Sequence, residues 1–252
     1  MTPPRGFGRL SRPIGRRAVL GGLGGLGALS GGFGASAMGR RPKPPKDAPD
    51  QARLVFDRLT DIGGARTTVE GDPRLIDSPY GKAVLFDGVD DRLVIDRHPL
   101  AGMGQFTFEA LFRPDGGVFA QRWFHLNEED PTPGAPPSAT RMLFEIRVTG
   151  EGWALDAFTT GPGYKHTLLF QDKLFPVGKW YWVAQSYDGK TYRAFVDGRL
   201  QGEAEIAYKP QGRGRSSVGA RMNKVDYFKG AIRETRFTPR ALPPEVLLRA
   251  NV

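Results

Sequence analysis

The chain has no cysteine, which excludes disulfide staples, thiolate metal sites and a Cys-His catalytic pair. Histidine is scarce, at 3 in 252 residues, and no G-x-S-x-G occurs, so a serine-hydrolase elbow has no motif behind it. No apolar run after residue 40 approaches the roughly 20 residues that span a bilayer. Acidic residues are missing from the first 37 positions, which hold five arginines (Arg5, Arg9, Arg12, Arg16, Arg17). Those five account for much of the formal net charge of +9. Without them 31 basic residues face 27 acidic ones, dispersed along the chain. A nucleic-acid binder concentrates its basic residues on one face, so a nucleic-acid partner is not expected.

What the N-terminus does have is the layout of an export signal over residues 1–37. Basic residues lead to Arg16-Arg17, a soft glycine-rich apolar run follows, and Ala35-Ser36-Ala37 offers a small-x-small cleavage site. The paired arginines, with apolar residues two and three places on, resemble a twin-arginine signal. Gly22 to Gly27 fits G-x-G-x-x-G, yet it neither follows a strand nor opens a βαβ unit, so it reads as signal-peptide glycine. Residues 38–51, with Arg40-Arg41-Pro42-Lys43-Pro44-Pro45-Lys46, read as a stiff solvated linker.

Residues 52–252 are long enough for one sizeable domain that buries about 70% of its unfolded surface. Short aromatic and β-branched runs recur between turn signals. Trp180 to Ala184 and Tyr192 to Val196 flank Asp188-Gly189, a hairpin signature, and Asp197-Gly198 repeats it. Ala83 to Phe86 and Arg92 to Ile95 flank Asp87-Gly88, which reads as another hairpin. Further strands are expected at Leu54 to Phe56, Thr67 to Glu70, Phe106 to Phe112, Val118 to Leu126, Arg141 to Val148, Trp153 to Phe158, Ser216 to Gly219 and Phe228 to Phe237. Only Pro243 to Ala250 looks helical. The pattern predicts an all-β fold, an antiparallel two-sheet sandwich or jelly roll.

Several segments, in order, carry a resemblance: Gly81 to Asp91, Phe106 to Ala110, Gly178-Lys179-Trp180, Tyr187-Asp188-Gly189, Phe195-Val196-Asp197-Gly198, Ser217-Val218-Gly219, and Phe228 to Phe237 before Arg240-Ala241-Leu242. Together they resemble a bacterial laminin-G-like domain of the concanavalin A-like jelly-roll class. The resemblance implies two curved antiparallel sheets and roles in glycan or protein binding; it implies no reaction. It also places Trp180 in the core, with Trp182 on the same parity and Tyr181 outward. Relatives commonly carry an acid where this chain has Arg233, which puts a calcium site in doubt. Asp87, Asp90 and Asp91 are hard-oxygen ligands suited to Ca2+, but turn-forming aspartates are the stronger reading.

Candidate ligand contacts come from strand parity. Gln121, Trp123 and His125 share one parity, opposite Arg122, Phe124 and Leu126. Arg141, Leu143, Glu145 and Arg147 share another, opposite the apolar Met142, Phe144, Ile146 and Val148. Arginine, carboxylate, amide, imidazole and indole together suit sugar hydroxyls, carboxylates and C–H faces. Trp153, Tyr164 and His166 extend this groove, and Arg221, Met222 and Asn223 follow a strand end toward its rim. The alternative reading of the face is a solvated Arg-Glu-Arg ladder. Gln121, His125, Glu145-Ile146-Arg147 and Tyr227-Phe228-Lys229 also resemble pieces of jelly-roll alginate lyases, though in a different order. If the chain were an enzyme, His125, Arg147, Glu145 and Gln121 would be its catalytic set. The expectation is an exported domain, periplasmic or extracellular, that binds an oligo- or polysaccharide, acidic ones included, without cleaving it. Its rivals are a lyase or hydrolase of acidic polysaccharide and a protein-interaction module of the cell envelope.

Overall fold

The computed structural model describes residues 51–130, 132, 136, 138–150 and 152–250. The expected export signal, with Arg16, Arg17, Ala35 and Ala37, and the linker up to residue 50 lie outside the described residues. In chain order the strands are β1 (Ala52–Val55), β2 (Thr67–Glu70), β3 (Arg74–Ser78), β4 (Gly81–Asp87), β5 (Arg92–Ile95), β6 (Phe106–Pro114), β7 (Ala120–Glu128) and β8 (Arg141–Thr149). There follow β9 (Gly152–Gly161), β10 (Tyr164–Leu169), β11 (Phe175–Pro176), β12 (Tyr181–Tyr187), β13 (Thr191–Val196), β14 (Arg199–Glu205), β15 (Gly214–Val218) and β16 (Lys229–Thr238).

These strands form two antiparallel sheets. The first runs β14-β13-β12-β6-β16-β4-β3, with β1 added on β16. The second runs β10-β9-β8-β7-β15-β5-β2, with β11 added on β9. The Asp-Gly hairpins flanking β13 form as expected. Asp188 Oδ1 accepts the N–H groups of Lys190 (2.9 Å) and Thr191 (2.7 Å). Asp197 and Gly198, at φ 46° and 70°, make the two-residue reversal between Val196 and Arg199. Both central positions lie in the left-handed region, as the turn type that matches strand twist demands. Asp87-Gly88 departs from expectation. β4 pairs with β3 and β16, and β5 with β2 and β15, so this turn carries the chain from one sheet to the other instead of closing a hairpin.

Between the sheets lies an aromatic core. Phe106, Phe108, Ala110 and Phe112 alternate along β6 and are fully buried. Phe108 has ring neighbours in both sheets: Phe144 at 4.0 Å, Phe237 at 5.0 Å, Phe124 at 5.6 Å and Trp123 at 5.8 Å between centroids. The expected parity of β12 is inverted. Tyr181 points into this core against Trp153 and Phe175, whereas Trp182 lies on the outer side with Leu111 and Ala250. Trp180 packs there too, edge-on to Tyr80.

That outer side is apolar because the C-terminal segment covers it. Residues 239–250 cross the first sheet with one 3-10 turn, Pro244–Val246, in place of the expected helix. Side chains of the sheet capture the segment's backbone N–H groups. Thr107 Oγ1 accepts from Leu242, Glu109 Oε1 from Leu248 (each 2.8 Å) and Asp197 Oδ1 from Ala250 (2.9 Å). Backbone donors held this way are unavailable to a regular helix. The first sheet is thus covered on both faces along this path, and the second sheet has the outer face left to consider.

Replacing Phe108 with alanine removes the ring shared by both sheets. The expected cost is about 3–5 kcal/mol, read as a lower urea midpoint with an unchanged m-value.

Candidate functional site

The outer face of the second sheet is set by one irregularity. β7 pairs with β8 through Arg122↔Glu145 and then Phe124↔Phe144, a register shift that leaves Trp123 as the extra residue. Such a bulge changes which face later residues take. Gln121 therefore faces inward, opposite Ile146. Trp123 and Phe124 both enter the core, and Arg122 and His125 face outward with Glu145 and Leu143. The expected shared face of Gln121, Trp123 and His125 does not form. Gln121 ties loops together, donating to the carbonyls of Gly116 and Val118 and accepting from the Lys229 N–H. Trp123 stacks on Phe112.

Other expected contacts divide in the same way. Trp153 is fully buried, and Tyr164 packs edge-on to Tyr208 in the core. His166 alternates with Tyr164 and Leu168 on edge strand β10, so it takes their parity instead of the outer one. On β8 the expectation holds: Met142, Phe144, Ile146 and Val148 enter the core, leaving Arg141, Leu143, Glu145 and Arg147 outward.

The outward charges form two groups. In the first, Arg122 pairs with Glu145 and Asp226. Arg147 Nη2 lies 2.5 Å from Asp156 Oδ2 and 3.8 Å from Glu145. Asp156 stands directly opposite Glu145 on β9. Burial, then the neighbouring Glu145, raises its carboxyl to about 6. Arg122, Asp156 and Asp226 were not singled out in the sequence. Asp156 was findable from the apolar alternation of Trp153, Leu155 and Ala157 around it, but its partner required the register.

The second group surrounds a cavity of about 240 Å³ lined by His125, Asn127, Ser138, Arg141, Arg221, Met222 and Asn223. His125 is 2% exposed, and its Nδ1 accepts the Met222 N–H at 2.8 Å. The Met222 carbonyl is held in turn by Arg92 Nη1 at 2.7 Å, and Arg92 is anchored by Glu70. Clamped at both its N–H and its carbonyl, Met222 forms one wall of the cavity. Arg141 lies over the Phe158 ring at 5.4 Å and donates to the Ala139 carbonyl. Burial lowers the His125 pKa to about 3, and Arg221 and Arg141 push it the same way. The ring is therefore neutral at physiological pH. With Nδ1 accepting, its proton sits on Nε2.

A family model described as the Concanavalin A-like lectin/glucanases superfamily (Laminin_G_3) matches residues 87–247. The chain belongs to this family. Domain 4 of AbnA, a GH43 extracellular arabinanase from Geobacillus stearothermophilus, in complex with arabinotriose, has a TM-score of 0.56 at 17% identity, covering 77% of this chain and 94% of that one. The Botulinum neurotoxin type G receptor binding domain gives 0.52 at 12% identity, covering 77% and 48%. The Ruminococcus gnavus IT-sialidase CBM40 bound to α2,3-sialyllactose gives 0.49 at 16%, covering 71% and 95%. No curated protein matches the chain. The likeness to the first two is one of fold, and with the family match it agrees with the expected concanavalin A-like, laminin-G-like jelly-roll sandwich.

Within this Laminin_G_3 fold the aspartate cluster has a structural task. Carboxylate oxygens of Asp87, Asp90 and Asp91 lie within 4.8 Å of one another. Asp91 spends both of its own on backbone, accepting from Asp72 (2.7 Å) and Asp87 (2.9 Å). Asp87 Oδ1 accepts from Val89 and Asp90. These bonds are the ones turn-forming aspartates make. Arg233 donates to the Tyr80 carbonyl.

The depressed His125 pKa sets a pH slope. Below about 6.5 the unfolded chain binds a proton that the folded imidazole refuses until about 3, so stability is lost as pH falls through that window. Urea midpoints across it should fall more steeply for the wild type than for His125→Gln.

Proposed function

We propose that this chain is an exported, lectin-like domain that binds an oligo- or polysaccharide on the outer face of its second sheet without cleaving it. The observation that carries this reading is the cavity beside His125 and Arg141, whose lining offers imidazole, guanidinium, amide and hydroxyl groups and no carboxylate. Its 240 Å³ is below the roughly 300–1,000 Å³ of drug-sized pockets and suits one sugar residue or its substituent. A domain of the same fold, from an arabinanase, has been seen with arabinotriose.

Binding is favoured over lyase chemistry by where the four expected catalytic groups stand. Gln121 faces the core, Glu145 and Arg147 are engaged in the ionic cluster, and His125 Nδ1 already accepts a backbone N–H. A general base needs a free lone pair within reach of the substrate proton. Hydrolysis by two carboxylates is likewise unsupported at this cavity. Export, to the periplasm or beyond, is supported by the segment over residues 1–37 and by the chain's lack of cysteine. Among the described residues no helix is long and apolar enough to cross a membrane.

Two measurements test the reading. A panel of arabino-, galacto- and uronic-acid oligosaccharides, titrated calorimetrically, should include a binder that loses about tenfold in affinity with Arg141→Ala or His125→Ala. The mixtures should develop no absorbance from unsaturated uronate ends. Silence across the panel, or absorbance that grows with time, would overturn it. For export, Arg16→Lys with Arg17→Lys should leave uncleaved precursor in the cytoplasm, and normal processing of that variant would remove the twin-arginine assignment.

A further inference from the structure

Among the described residues, most cations on the outer face of the second sheet are matched by carboxylates; Lys165, exposed on edge strand β10, is not, and neither are two arginines further in. Arg122 has Glu145 and Asp226, Arg147 has Asp156, Arg92 has Glu70, Arg215 has Glu129, and Lys224 has Glu70. Arg141 and Arg221 have no ion-pair partner among the described residues, and both line the cavity that His125 also lines. Arg141 spends a single N–H on the Ala139 carbonyl, and its Nε is buried without a partner. Arg221 contributes its backbone to a tight loop, with Arg221 N–H to Val225 O and Lys224 N–H to Arg221 O, and its guanidinium has no protein acceptor among the described residues.

The third group is the most telling. His125 is almost wholly buried, and its Nε2 has no hydrogen-bond partner. Because Nδ1 accepts from Met222, Nε2 carries the proton and is a donor. A buried donor without an acceptor costs about 1–3 kcal/mol, so one at a cavity wall marks a place where an acceptor is expected. Two like charges brought together, with Glu145 acting on Arg141 only from beyond ion-pair distance, add to the same demand. Burial, and after it the two guanidiniums, lower the His125 pKa, which keeps the ring neutral and its Nε2–H available.

The neighbouring cavity sharpens the contrast. Across Ser138, which lines both, Glu128, Glu129 and Asp130 line a space of about 480 Å³. Glu128 is held by Ser138 and by the Gly212 N–H, and Glu129 by Arg215. None of these acids reaches across to pair with Arg141 or Arg221. The positive side of the boundary stays positive.

We propose that the cavity between β7, β8 and the loop from Arg221 to Asp226 is an anion subsite that takes the acidic substituent of a sugar, a carboxylate or a sulfate ester, on Arg141, Arg221 and His125 Nε2. This rests on the carbohydrate-binding reading above and narrows it to acidic glycans. The oxyanion would accept from both guanidiniums and from the imidazole, charge-assisted bonds of the stronger kind. Asn127 and Asn223 would be left for ring hydroxyls.

The test uses the exported protein with methyl galacturonate glycoside, galactose 6-sulfate and neutral methyl galactoside, followed by 15N NMR of His125 Nε2 and the arginine side chains. One or both acidic sugars should move these resonances with at least about tenfold higher affinity than the neutral sugar. Whichever acid responds identifies carboxylate or sulfate ester. Arg221→Gln should erase that preference and Arg221→Lys should keep most of it. If acidic and neutral sugars bind equally, before and after Arg221→Gln, the anion subsite is wrong while carbohydrate binding stands. If neutral oligosaccharides from the earlier panel bind but none of the three probes moves His125, the subsite is again wrong and the glycan lies elsewhere. If inorganic sulfate alone moves His125 and no sugar binds, both readings fall. Should Arg221→Gln fail to fold, Arg141→Gln and the wild-type contrast between acidic and neutral probes still decide.

Discussion

The outer face of the second sheet depends on a single extra residue in β7. Trp123 and Phe124 are adjacent, and an unbroken strand would send one of two neighbouring aromatics into water. The bulge lets both rings join Phe108 and Phe144 in the core. The hydrophobic gain of burying a second large aromatic, about 1.5–3 kcal/mol, exceeds the cost of one disrupted ladder position. The turn after β15 repairs part of that cost, since the Gly219 N–H donates to the Trp123 carbonyl at 3.0 Å. Gly219 is itself constrained: at φ +89° an added Cβ would sit 2.4 Å from the Phe86 ring. The polar surface is thus a by-product of aromatic packing. With the bulge, Arg122 and His125 emerge beside Arg141 and Glu145, and Gln121 does not.

This explains how much of the molecule could be read in the sequence. Central strands were legible because β6, β8 and β12 are dense in aromatic and branched residues. β3 and β10 were not anticipated, and both are sheet edges. Their sequences, RLIDS and YKHTLL, are half-exposed and show no clean apolar-polar alternation in residue type. Turn chemistry was read correctly at Asp188-Gly189 and Asp197-Gly198. At Asp87-Gly88 the same dipeptide serves a crossover, because a turn signal reports a reversal of direction and says nothing of which strand the chain then joins. Tyr181 and Trp182 were exchanged since both sides of β12 are apolar. Periodicity cannot separate a core from a face covered by a distant tail.

The site was legible to a similar depth. Parity on β8 was sound, so Arg141, Glu145 and Arg147 stand where alternation put them. Parity on β7 failed at the bulge, and the three indole and phenol contacts expected from Trp123, Trp153 and Tyr164 belong to the core. Arg221, Met222 and Asn223 were placed only by proximity to a strand end, yet they form the wall facing His125. What separates Arg147 from Arg141 is invisible in sequence. One finds Asp156 across the sheet; the other finds no carboxylate within ion-pair distance among the described residues.

The position of β16 has a bearing on how the chain acquires its shape. This strand follows the other fifteen described strands in the chain, yet it lies in the middle of the first sheet, joined to β6, β4 and β1. A nascent chain that has emerged only as far as β15 has two half-sheets with nothing between them, and the aromatic rings of β6 still lack Phe237. Cooperative assembly of the first sheet must therefore wait for β16 to leave the ribosome. Until then, the open flanks of β4 and β6 are the surfaces most in need of protection by chaperones.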